Sequence, residues 1–172
     1  SLMHLMQVLK NCSPKILTDD WALTNENDGT VFSLEDDISF SRTFCEEFPY
    51  LNLTPLYENN VVDGFKKVYI HPDEVFGKST KIKKSKINTI VMLEPVNRTN
   101  LLEYPKREIV VENIINGTYH MPDCNPHQVQ RHRDFWMDIL SNARFVSFDT
   151  RHKIPPNQSY IQLCNELKWH NQ

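Results

Sequence analysis

Apolar side chains at Leu2, Met3, Leu5, Met6, Val8 and Leu9 cover nearly the whole circumference of a helix drawn through residues 2–11. Such a stretch predicts a buried helix rather than one lying on a surface. Asn11 and Ser13-Pro14 end it, because proline cannot continue the hydrogen-bond ladder. Lys15-Ile16-Leu17-Thr18 then reads as a short strand whose tip carries two adjacent carboxylates, Asp19 and Asp20, before Trp21. Residues 21–24 and Thr30-Val31-Phe32 flank Asn27-Asp28-Gly29, a turn signal that predicts a hairpin.

Farther on, Ile38-Ser39-Phe40-Ser41 alternates strictly and Lys67-Val68-Tyr69-Ile70 in part. Antiparallel strands joined by loops are expected here, with another turn at Asp63-Gly64. Residues 87–93 read as a strand buried on both faces toward its end, stopped by Glu94-Pro95 and expected at the sheet centre. Asn125-Pro126 offers an N-cap and a first-turn proline, and Val129, His132, Trp136, Ile139 and Ala143 follow at helical spacing. Residues 144–150 alternate around Phe145, Val146 and Phe148 as a strand, and Pro155-Pro156-Asn157 opens a last helix through Ile161, Cys164 and Leu167. The pattern predicts the α/β class, a mixed sheet with flanking helices, in a single domain over residues 1–172. Neither a repeat nor a low-complexity segment divides it.

Composition narrows the chemistry. With 40% apolar residues, 24% charged residues and a net charge of −3, the chain has no general pull toward nucleic acid or anionic membrane. Lys81-Ile82-Lys83-Lys84-Ser85-Lys86 is the concentrated basic run. It reads as a solvated loop or edge strand, where lysine deters sheet-to-sheet association, with a phosphate-contacting patch as the alternative. Four glycines against ten prolines imply rigid loops and few left-handed turns. Cys12, Cys45, Cys124 and Cys164 lie far apart without a Cys-x-x-Cys pair or an export signal, so the expectation is unpaired thiols in a reducing cytoplasm. On the same expectation, Asn97-Arg98-Thr99 and Asn116-Gly117-Thr118 are chance triplets. No apolar run approaches the ~18 residues of a membrane span. Ser1-Leu2, ahead of Met3, reads as a cloning remnant.

Two Asp residues closing a strand point to opposite faces, so one can meet a metal-bound phosphate while the other braces the site. A bare Asp-Asp is common; the order of buried helix, strand and acid pair gives it weight. Residues 1–21 resemble the segment that follows the phosphate loop in the HPr kinase/phosphorylase and phosphoenolpyruvate-carboxykinase-like group, with Thr18-Asp19-Asp20-Trp21 the most specific part. Val68-Tyr69-Ile70-His71-Pro72-Asp73-Glu74, residues 87–95 and the closing helix, strand and helix resemble later parts of kinase-like members. The resemblance implies a phosphoenolpyruvate-carboxykinase-like P-loop core truncated at its N-terminus. Its parent chemistry is ATP-dependent phosphorylation of a hydroxyl, on a protein serine or a small molecule. Asp19 and Asp20 match the paired acids that hold Mg2+ and activate the attacking hydroxyl. Ser1 stands about where the phosphate loop would end, and Arg42 is a candidate phosphate partner whose alternative is an ion pair with Glu46 or Glu47. Oligomers are frequent in the group, so the resemblance admits a homo-oligomer.

The sequence departs from the group where the nucleotide would be cradled. No glycine precedes Gly29, so the amides, lysine and hydroxyl of a phosphate loop are not present, and this chain is expected to bind ATP poorly by itself. Either the gene product starts here or a longer kinase was cut. The alternative function is a non-catalytic remnant of the fold that binds a partner or ligand.

Gly77-Lys78-Ser79-Thr80 reads like the tail of a Walker A motif, but Pro72 stands where the motif needs glycine, so a turn between two strands is the better reading. His120, Cys124, His127 and His132 are zinc-ligand types at a spacing that fits no standard site, which favours ordinary loop and core residues. Cys45 and Cys124 are read as inert thiols, and Trp21, Trp136 and Trp169 as scattered core or docking residues.

Overall fold

The computed structural model describes residues 2–9, 13–19, 22–59, 67–118 and 125–168. Helix α1, Leu2–Leu9, forms where the apolar run predicts it and buries Met6 and Leu9. Beyond it the chain is extended, yet Lys15-Ile16-Leu17-Thr18 does not make a strand. One residue pairs: the Ile16 amide donates to the Thr80 carbonyl at 2.8 Å and its carbonyl accepts from the Ile82 amide at 2.9 Å, a parallel bridge to Lys81. Pro14 supplies no amide and the chain bends at Asp19, so the ladder has no room to propagate.

The predicted hairpin is present. Strands β1 (Ala22–Thr24) and β2 (Thr30–Ser33) pair antiparallel. The turn between them needs its glycine twice over: Gly29 has φ +64, and a Cβ there would sit 2.7 Å from the Ile139 side chain. The lysine run places β5, Lys84–Lys86, on the other edge of β2, an exposed edge strand as expected. Strands β3 (Ile38–Ser41) and β4 (Lys67–Ile70) form a second antiparallel pair, whose register sets buried Ile38 opposite Ile70 and Phe40 opposite Val68. Between them the sequence signals no helix, but α2 (Arg42–Glu47), a 3-10 turn (Pro49–Leu51) and α3 (Thr54–Asn59) close a core of Cys45, Leu53 and Tyr57 against that pair. Asp63-Gly64 lies outside the described residues.

Helix α4, Pro72–Phe76, follows β4 directly. The Gly77-Lys78-Ser79-Thr80 stretch is a turn, though one that leaves this helix rather than joining two strands. The Asp73 carboxylate accepts from the Ser79 and Lys81 amides at 2.9 and 2.8 Å, so the donors a phosphate would need are taken by an internal acid. These bonds, led by the one from Lys81, hold the Asp73 carboxyl below its ordinary range.

The third sheet pairs β6 (Thr89–Glu94) parallel with β8 (Arg144–Asp149), and β7 (Leu102–Glu103) adds antiparallel to the far side of β8. The central strand is therefore β8, and residues 87–93, expected at the centre, supply an edge. Leu93 is 53% exposed, whereas Val146, Ser147, Phe148 and Asp149 are all buried. The apolar run misleads because a covered face and a half-covered one both select Ile, Val and Leu. A parallel pair requires a long crossover, here made by α5 (Arg107–Thr118) and α6 (Pro126–Ile139). These two pack on each other and cover the face carrying Ile90 and Phe145. Helix α7, Pro156–Leu167, covers the other face, burying Tyr160, Leu163, Cys164 and Leu167 at helical spacing while Ile161 stays exposed. Leu5 and Val8 of α1 pack into this cluster and Met6 into the first one, so α1 joins the two halves. Asn125 caps α6 as predicted, its side-chain oxygen accepting from the His127 amide at 2.9 Å; Ala143 falls beyond the helix end. Among the described residues no helix is long and apolar enough to cross a membrane. The fold is mixed α/β, sheets with flanking helices.

Candidate functional site

The segment after α1 delivers Asp19 to the start of β3. Its Oδ2 accepts from the Ser39 amide at 2.8 Å, with the Ser39 hydroxyl at 3.5 Å. No bond engages Oδ1 among the described residues, and the side chain is half-buried. Thr18 beside it reaches Glu35 at 3.5 Å, and Glu35 together with Ser33 takes the Lys81 ammonium through its carbonyl and the Ser33 hydroxyl. A parallel bridge at Ile16 on one side and a backbone donor at Ser39 on the other thus fix where the carboxylate stands. Asp20 and Ser1 lie outside the described residues.

Arg42 is the first residue of α2, exposed, with its Nε on Glu46 Oε1 at 3.3 Å. That is the surface pair weighed against a phosphate contact. Asp19 and Arg42 flank opposite ends of the same stretch: Asp19 bonds residue 39 within β3, and Arg42 follows its last residue.

The residues present can meet a divalent metal halfway. Mg2+ usually takes one or two carboxylates and completes its octahedron with phosphate oxygens and water. Asp19, with one oxygen unengaged, fits that minimal set, while among the described residues no three His, Cys, Asp or Glu side chains converge into a self-sufficient metal site. Of the four zinc-type residues, His120 and Cys124 lie outside the described residues, His127 is exposed on the first turn of α6 and His132 is half-buried further along it. Cys45 is buried and its thiol is pushed up by burial, which suits an inert side chain.

A second polar centre lies at the C-terminal ends of β6 and β8. The buried Asp149 carboxylate accepts from the Val96 amide at 3.2 Å, the Arg151 amide at 2.9 Å and the Arg98 amide. Burial pushes this carboxyl up, but the amides of Arg98, Arg151, Asn97 and Val96 outweigh it and hold it at about 2. Beside it the Arg98 guanidinium reaches Ser147 Oγ at 2.8 Å, Glu94 at 2.5 Å and Glu103 at 2.9 Å, and the Ser147 hydroxyl donates to Glu94. Each of these donors faces an acceptor, with Glu94 Oε2 shared by Arg98 and Ser147, so the centre stitches the loop at residues 95–101 onto the sheet. The signal was legible: Phe148-Asp149-Thr150 closes a predicted strand with an acid, the feature given weight at Asp19.

Comparison with protein-family models, with curated proteins and with solved structures finds no match.

Proposed function

We propose that this chain is the part of a nucleotide-dependent phosphoryl-transfer domain that follows its phosphate loop, with Asp19 and Asp20 as its working acids. The observation that carries the reading is the placement of Asp19. It follows an apolar helix and an extended run, it is fixed through a single backbone donor at Ser39, and among the described residues it keeps one carboxylate oxygen for other work. The parallel β6–β8 pair with its helical crossover is consistent with such a core.

In this reading the acceptor hydroxyl gives its proton to an acid of the pair as its oxygen bonds to the γ-phosphorus of ATP, and the bond to the departing ADP breaks. Ser39 orients Asp19 so that the unengaged oxygen is the one presented. Asp19, with Asp20 next to it, would hold Mg2+, which when bound neutralises charge on the phosphate oxygens. The phosphate cradle is not in this sequence, so the acids are the part that can be tested directly.

Paramagnetic Mn2+, a stand-in for Mg2+, added to the 15N-labelled chain is expected to broaden the amides of Asp19 and Ser39 before those near the exposed acids Asp28, Asp36 and Asp37. Asp19→Asn should remove that preference. Broadening spread evenly over surface acids, or unchanged in the variant, rejects the reading.

A further inference from the structure

The sheet of β1, β2 and β5 has one face that buries Val31 and one turned out. Register places Leu23 opposite Phe32, Phe32 opposite Lys84, and Thr30 opposite Lys86, and residues directly opposite share a face. Val31, on the other face, is buried. The outer face therefore presents a cross-strand apolar pair, Leu23 at 56% and Phe32 at 37% exposure, beside a column of lysines. Over it lies an open hollow of 420 Å³ whose lining includes Asp28, Thr30, Phe32, Lys84 and Lys86. Lys86 is spoken for, with its ammonium on Asp28 at 2.8 Å. Lys84 makes no ion pair among the described residues.

An exposed aromatic set in register with an aliphatic side chain is the apolar kind of surface that interfaces favour, and the lysine beside it gives the patch a sign of charge rather than apolar contact. Charge selects the occupant. The chain as a whole carries −3, and its basic run is concentrated on this edge. A second copy laid strand to strand would set lysine against lysine, an arrangement that deters self-association. We infer that this face docks an acidic polypeptide segment bearing an aromatic or aliphatic anchor, the anchor seated against Phe32 and Leu23 and a carboxylate beside Lys84. The inference does not depend on the role of Asp19.

The test is a titration of the 15N-labelled chain with the synthetic peptide Glu-Phe-Glu-Leu-Glu, with its Lys-for-Glu counterpart and with an oligothymidylate. Saturable shifts at the amides of Leu23, Phe32 and Ser85 are expected from the acidic peptide, weakening with added salt. Phe32→Ser and Lys84→Glu should each loosen binding by about tenfold, the scale of one anchor contact. Lys84 is exposed, so the melting temperature of Lys84→Glu should match the parent, which separates lost binding from lost folding. Absence of saturable shifts up to millimolar peptide overturns the proposal. So does equal or tighter binding of the basic peptide or the oligonucleotide, or binding that the two substitutions leave unchanged.

Discussion

Asp19 and Asp149 each follow an extended segment, and the chain treats them in opposite ways. Asp149 is fully buried, with amide donors on both carboxylate oxygens. Asp19 is half-buried and takes one amide on one oxygen. A buried charge is tolerated only when its hydrogen bonds are complete, and completing them leaves nothing to offer a ligand. Among the described residues Asp19 keeps one oxygen without a donor, which on the proposed reading leaves it available for chemistry, whereas the saturated Asp149 is a fastener. Position at the end of an extended segment does not tell them apart. The number of donors does.

The packing beneath Asp149 should give the largest effect. Phe148 is completely buried against Tyr160, at 4.8 Å between ring centroids, and Phe148→Ala is expected to cost about 3–5 kcal/mol in a denaturant melt. A cost below about 1 kcal/mol would mean that β8 is not the centre of a packed sheet. By contrast, Leu23→Ala on the outer face of the hairpin sheet should stay within about 0.5 kcal/mol.

The acids themselves come next. In Asp149→Asn one side-chain amide must face a backbone N–H, because both native oxygens are acceptors. The melting temperature should fall clearly, and a variant as stable as the parent would show that the network contributes little. The pH dependence follows from the same bonds. Since the folded-state value of Asp149 is held at about 2, below the unfolded value, its stabilisation is complete above pH ~4 and is lost as pH falls through the folded value. Melts at stepped pH should show this loss between about pH 4 and 2, and it should vanish in Asp149→Asn.

How much of this was legible depends on whether the signal was local. The hairpin around Gly29, the alternation of residues 38–41 and 67–70, the capped helix at Asn125-Pro126 and the last helix all rest on short-range rules, and each element stands where those rules put it. Helix α5 escaped because Ile109, Val110, Val111, Ile114 and Ile115 are β-branched and Gly117 sits near its end, a composition that favours strand. Its helical state comes from packing on α6, which no window of sequence displays. The rank of β6 and β8 in the sheet was hidden for a related reason: centrality depends on what pairs along each edge. At the site, the sequence located Asp19 but not its donor twenty residues away, nor the saturation that assigns Asp149 to structure.

Asp19→Asn sharpens the comparison because asparagine can still accept from the Ser39 amide. Its effect on stability should stay under about 1 kcal/mol, the net value of one hydrogen bond. In a chain supplied with a phosphate loop, the same change should lower phosphoryl transfer by orders of magnitude, read as turnover at saturating ATP. Unaltered turnover would make Asp19 a second fastener and remove the distinction between the two acids.

The smallest effect belongs to Arg42. Its pairing with Glu46 spans one helical turn between two well-exposed side chains, with 71% and 66% of their surfaces open, and such pairs contribute about 0.3–0.5 kcal/mol. Arg42→Ala should therefore shift the melting temperature barely at all, and added salt should erase even that difference. If the guanidinium instead serves a phosphate, the substitution leaves stability alone and weakens ATP in the loop-bearing chain severalfold or more, with a steeper loss at low salt. The two outcomes diverge in binding rather than in folding, so one pair of titrations decides whether the proposed phosphate-facing surface at Asp19 extends across β3 to α2.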